Sequence, residues 1–189
     1  MKNISTKLIA KIGILSALVI ILSLSPLGFI PIGAIRVTTV HIPIIIIALT
    51  EGPLVSLFVG FIFGLFSFCQ HLLGVSPLSF MFINPFVSVL PRAMIGIISY
   101  FSYKFIKKYT DNILTVIIPS ILGTLVNTFG VLFFAYIFCA EQIYDVLKIN
   151  PAKFLIGIAL SNGVAEIIAS AFLVPLIVKK LLKKQIPQD

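Results

Sequence analysis

The sequence predicts an all-α membrane protein with six transmembrane helices and both termini in the cytoplasm. Three observations carry this. Of 189 residues, 59% are hydrophobic and only 11% are charged, and mean hydropathy is +1.18, a composition foreign to soluble globular domains. Apolar runs of about 20 residues, the length that crosses a hydrocarbon core as a helix, recur along the chain. Lysines gather at the ends of these runs rather than within them, as membrane topology requires. No hydrophilic stretch is long enough to fold separately. Residues 1–189 therefore read as one integral membrane domain, multi-pass in the cell membrane.

The spans follow in order. The first runs from about Leu8 to Leu27 and ends in the Pro/Gly-rich segment Pro26 to Gly33. A signal peptide would be cut before Pro26, a poor cleavage position, so this span reads as a retained helix. The second, about Thr38 to Thr50, is short and stops at Glu51-Gly52-Pro53. The third covers about Leu54 to Leu73, the fourth Pro85 to Lys104, the fifth Ile113 to Phe138 and the sixth Phe154 to Val178. Six crossings put three basic clusters on one side: Lys2, Lys7 and Lys11; Lys104, Lys107 and Lys108; and Lys179, Lys180, Lys183 and Lys184. By the positive-inside rule that side is the cytoplasm. The same placement makes the net charge of +8 a matter of topology and argues against nucleic-acid binding. Cys69 and Cys139 lack metal-ligand spacing and read as buried small hydrophobes.

Polar residues inside spans are costly and are functional candidates by default. Asn84-Pro85 has the form of a helix cap followed by proline at the first helical position. Steps of four from it place Asn84, Ser88, Arg92 and Gly96 on one face. Pro91 has no N–H, which leaves the Val87 carbonyl free to face the same cavity as Arg92. Asn162 and Glu166 are four apart in the sixth span, and Asn127 lies mid-way along the fifth. Thr38 and His41 mark one end of the second span. These residues converge on the outer half of a bundle whose inner half is almost purely apolar, which implies a pocket open to the outside. Substrate-binding candidates are therefore Arg92, Asn84, Ser88, Asn127, Asn162, Glu166, His41 and Thr38. Two partners for Arg92 stay open: Glu166 and a carboxylate arriving from outside. No metal site is expected, because His41 and His71 lack a clear third ligand. On the first span, Ala10, Gly13 and Ala17 form a small-residue face suited to close helix approach.

Two stretches carry a family resemblance. "TTVHIPIIIIALTEGPLVSLFVGFIFGLFS", Thr38 to Ser67, is similar to the short helix, Gly-Pro turn and Gly-rich third helix of the substrate-binding S components of energy-coupling-factor (ECF) vitamin transporters. "SPLSFMFINPFVSVLPRAMIG", Ser76 to Gly96, resembles their pantothenate-type members. The resemblance implies an S-component-like bundle that captures a water-soluble vitamin and is not an enzyme. It also implies docking through Ala10, Gly13 and Ala17 onto a transmembrane coupling protein bound to two cytoplasmic ATPases. No cofactor is expected on this chain, since it lacks a phosphate-binding Gly-Lys-Ser/Thr loop and ATP would be hydrolysed by the partners. Pantothenate is the favoured vitamin because its one carboxylate suits one arginine fork and its hydroxyls and amide suit asparagines. Riboflavin or another B vitamin is the alternative. A membrane-embedded enzyme is the alternative of a different class, disfavoured by the dispersion of Glu51, Glu141 and Glu166.

Overall fold

The computed structural model describes residues 5–32 and 35–185; Lys2 of the first basic cluster and Gly33 lie outside them. Helix α1 (Thr6–Leu24) leads through a 3-10 turn, Pro26–Gly28, into an antiparallel hairpin of β1 (Phe29–Ile32) and β2 (Ile35–Thr38). The register pairs Phe29 with Thr38 and Ile32 with Ile35. A helical bundle was expected without strands, yet Ile30, Ile32, Ile35 and Val37 flank Gly33 with the β-branched composition of a hairpin. Then come α2 (His41–Glu51), α3 (Pro53–Leu72), α4 (Ser79–Phe82), α5 (Pro85–Ser88), α6 (Leu90–Ile106) and α7 (Leu114–Leu147). Helix α8 (Pro151–Ile158), a π-helical turn (Ala159–Gly163) and α9 (Val164–Gln185) are the last of the described elements.

The expected count of six spanning helices is corrected. Among the described residues, four helices are long and apolar enough to cross a membrane: Thr6–Leu24, Pro53–Leu72, Pro85–Ile106 and Leu114–Leu147. The expected second span is only the 11 residues of α2, about 16 Å at the α-helical rise. Its first residue, Thr38, is drawn into β2, and Gly52, at φ +92, turns the chain sharply at its end. The expected sixth span is interrupted by the π turn, and Glu166 and Lys179-Lys180 break the apolar character of α9. What stands is an all-helical multi-pass membrane bundle carrying one short hairpin.

Helix α6 is the central element, packed against α3, α7 and α2. Glycines permit the approach. A Cβ on Gly60 of α3 would strike the Arg92 carbonyl, and one on Gly64 would lie 2.7 Å from Val89 Cα. From α7, a Cβ on Gly130 would lie 3.0 Å from the Pro91 ring. One apolar core joins α1, α2, α3, α6 and α9 through Val19, Ile44, Ile45, Val59, Ile95 and Val178. A second joins α4, α5, α7 and α8 through Met81, Val87, Ala135, Ile143 and Leu155. Arg92 lies at the α3–α6–α7 junction. Outside the core, Lys11 and Glu51 form an ion pair of 2.5 Å between α1 and α2. Cys139 is buried and free as expected, but Cys69 is exposed, because it falls on the outward face of α3.

Gly64→Ala places a methyl group against backbone that cannot yield, and should destabilise the detergent-solubilised protein by about 1–3 kcal/mol. Gly13→Ala meets nothing within 4 Å and should leave the melting temperature unchanged. Parallel thermal denaturation of the two variants checks this.

Candidate functional site

The break between α5 and α6 builds the centre of the site. Pro91 cannot donate to the carbonyl of Val87, four residues back. Arg92 fills the vacancy, its Nη1 donating to the Val87 oxygen at 2.6 Å. The guanidinium carbon lies 5.2 Å from the centroid of the Phe82 ring, a cation–π contact. The side chain is only 8% exposed, and its Nε has no hydrogen-bond partner among the described residues. Phe82 in turn stacks on His71, ring centroids 4.5 Å apart. His71 Nδ1 lies 2.7 Å from the Ser67 carbonyl oxygen.

Glu166 is engaged elsewhere. One of its oxygens accepts from the Thr128 hydroxyl of α7 at 2.7 Å. The other accepts from the backbone N–H of Thr38, at the end of β2, at 3.1 Å. The only ion pair among the described residues is Lys11–Glu51, so Arg92 and Glu166 are not in direct contact. The buried carboxylate instead ties the hairpin to α7 and α9 just past the π turn, which itself packs against β2. A third cluster lies between α2, α7 and α9. His41 is fully buried, its Nε2 3.1 Å from the Thr124 hydroxyl, which bonds Ser170 at 2.8 Å. Its Nδ1 has no partner among the described residues.

The remaining candidates divide. Asn127 is buried, and its Oδ1 has no partner among the described residues. Ser88 is buried and donates to the Phe82 carbonyl. Asn84 caps α5 by accepting from the Phe86 N–H at 2.9 Å. Asn162 sits within the π turn and accepts from Ser161 at 3.2 Å. That turn interrupts the regular spacing on which a shared Asn162–Glu166 face depended. Thr38 belongs to β2 rather than to a helix. Phe82 and Ser170 were not singled out from the sequence. A count of fours from Arg92 reaches Ser88 but passes over Phe82, and isolated hydroxyls in apolar helices give no signal. Ala10, Gly13 and Ala17 are all exposed on α1.

An open cavity of about 860 Å³ lies between α7 and α8. It is lined by apolar residues such as Val126, Phe129, Phe133, Leu155 and Ile156 and touches none of the candidates above. The buried polar groups lie elsewhere: a guanidinium fork at Arg92 and a carboxylate bonded to Thr128 and the hairpin.

Fold and site together define a multi-pass helical membrane protein with buried polar groups that are unpaired among the described residues. Residues 7–178 match the model of the family described as "ECF transporter, substrate-specific component", and the chain belongs to that family. Its function is therefore that of an ECF-type S component for a small vitamin-like molecule, a substrate-binding and non-catalytic class. It is 29% identical over 164 residues to the pantothenic acid transporter PanT of Lactococcus lactis subsp. cremoris (strain MG1363), covering 79% of each chain. It is 29% identical over 186 residues to the pantothenate transporter PanT of Leuconostoc mesenteroides subsp. mesenteroides, covering 92% of this chain and 91% of that one. The solved structure of ThiT from Listeria monocytogenes superposes with TM-score 0.68 at 16% identity, covering 95% of this chain and 97% of that one. That likeness shows the fold. The resemblance read from Thr38–Ser67 and Ser76–Gly96 is thus borne out at the level of the family.

Glu166→Leu removes the acceptor that holds the Thr38 N–H. Hydrogen exchange at Thr38 should then quicken by about tenfold or more, the loss of one charge-assisted bond. Exchange at wild-type rate would mean that Glu166 does not hold the hairpin.

Proposed function

We propose that this S component captures pantothenate, with Arg92 receiving the carboxylate. The observation that carries this is the state of Arg92: buried, held by the Val87 carbonyl, with Nε unpaired and no acidic partner in contact among the described residues. A guanidinium so placed has free donor capacity, and a carboxylate meets it with two parallel bonds. The names of the two PanT relatives point the same way. Asn127, whose Oδ1 is unpaired, is positioned for an amide or hydroxyl donor of the ligand. Both Glu166 oxygens already accept, from Thr128 and from the Thr38 N–H, which leaves the carboxylate of the ligand to Arg92.

Uptake then depends on partners: a transmembrane coupling protein and two cytoplasmic ATPases, reached through Ala10, Gly13 and Ala17. That face of α1 is exposed and open, with nothing within 4 Å of a Cβ at Gly13. The lysine clusters support termini on the cytoplasmic side.

Calorimetry on the purified protein should give pantothenate binding without ATP; tight binding of riboflavin with no heat from pantothenate would sink the assignment. Arg92→Lys, which replaces a planar fork with a point charge, should weaken binding by roughly tenfold or more. Gly13→Leu should leave that affinity intact and abolish uptake in cells carrying the partner subunits. Normal uptake would remove the docking role of α1.

A further inference from the structure

We propose that His71 is a further ligand contact, its Nε2 accepting a hydrogen bond from a hydroxyl of the vitamin. The inference rests on the reading of the Arg92 site as a vitamin site, and it names the group that recognises the far end of the molecule.

The argument begins with one carbonyl. His71 Nδ1 lies 2.7 Å from the Ser67 carbonyl oxygen, one turn back on α3. A carbonyl can only accept, so Nδ1 must carry the hydrogen. In the neutral ring this leaves Nε2 as a bare acceptor. Nε2 has no partner among the described residues, and the ring is half-buried. The ring is also fixed, since its face stacks on Phe82 at 4.5 Å and 30°. The same Phe82 ring carries the Arg92 guanidinium at 5.2 Å. One aromatic side chain therefore sets the spacing between a donor-only fork and a fixed acceptor.

The surrounding groups leave this acceptor a defined task. Arg92 can only donate. Both Glu166 oxygens are taken by Thr128 and Thr38, and the Ser88 hydroxyl is spent on the Phe82 carbonyl. Of the other orphaned acceptors, His41 Nδ1 lies in the fully buried Thr124–Ser170 cluster, and Asn127 Oδ1 is the acceptor already assigned to the ligand. His71 Nε2 is a second acceptor, on the ring that stacks on Phe82. A ligand with a carboxylate at one end and a hydroxyl a few bonds away satisfies both points at once. A ligand without a hydroxyl leaves Nε2 unpaired and is disfavoured, because an unmet polar group at a closed site costs affinity.

The chain has two histidines, so nitrogen-15 NMR of the histidine-labelled protein in detergent resolves each ring. Without ligand, His71 should show a protonated Nδ1 and a bare Nε2; the reverse tautomer overturns the proposal whatever the vitamin. Adding pantothenate should shift the Nε2 resonance, and an unmoved signal in the saturated protein also overturns it. Affinity supplies the second arm. His71→Phe keeps the stack and should bind pantothenate about tenfold more weakly, while His71→Gln, which offers an oxygen near the Nε2 position, should stay within about threefold. Analogues of pantothenate lacking one or other hydroxyl separate the roles. One of them should lose affinity on wild type and lose nothing more on His71→Phe; equal losses on both proteins refute the contact. Should wild type bind no pantothenate, the proposed vitamin fails. The same two arms are then run with whichever of riboflavin, thiamine, biotin or folate raises the melting temperature of wild type.

Discussion

The bond between Arg92 and the Val87 carbonyl is the constraint around which the rest of this bundle is arranged. In a membrane there is no water to satisfy a guanidinium or an orphaned carbonyl, and each alone costs several kcal/mol. Proline supplies one orphan and arginine cancels it. The pair costs less than either member, and it fixes Arg92 against the wall formed by Phe82. Because one nitrogen is used for anchoring, the remaining donors keep a set direction. An arginine free to swing would find the nearest carboxylate, and in this chain that would be Glu166.

Keeping the two charges apart depends on small residues. Gly60 and Gly64 let α3 press against the backbone around Arg92, and Gly130 lets α7 meet Pro91. With those backbones in close contact, the Arg92 side chain is left on the Val87 carbonyl and the Phe82 ring. Glu166 is meanwhile saturated by Thr128 and by the hairpin N–H. The π turn before Glu166 shifts that helix locally, and such bulges recur at functional sites. The result is a bundle that separates a cation and an anion instead of neutralising one with the other. The cation is anchored on the Val87 carbonyl, and the anion is bonded to α7 and to the hairpin.

This division also explains why the bundle keeps so many buried hydroxyls. Thr124 and Ser170 bridge α7 and α9 and hold His41 between them. Such bonds are modest individually in a membrane setting. Their value here is geometric, because they hold α2, α7 and α9 in register while α2 is too short to span by itself. The large apolar groove between α7 and α8 stands apart from this network.

Much of this was legible in the amino-acid sequence. Composition and lysine placement determined a multi-pass helical membrane protein, since only helices satisfy their own backbone in lipid. The motif around Pro91 determined that Arg92 and the Val87 carbonyl would face the same place, because a missing N–H is a local covalent fact. The stretches from Thr38 to Ser67 and from Ser76 to Gly96 determined the family. Three things were decided only in the tertiary structure. The number of spanning helices was one, since hydropathy cannot register that Thr38 pairs in a strand or that a π turn divides α8 from α9. The partner of Glu166 was another, since Thr38 is 128 residues away in sequence and donates through its backbone, which has no residue signature. The last was the Arg92–Phe82–His71 stack, which joins α3, α4 and α6. Sequence periodicity describes one helix at a time, whereas a binding site is made where several of them meet.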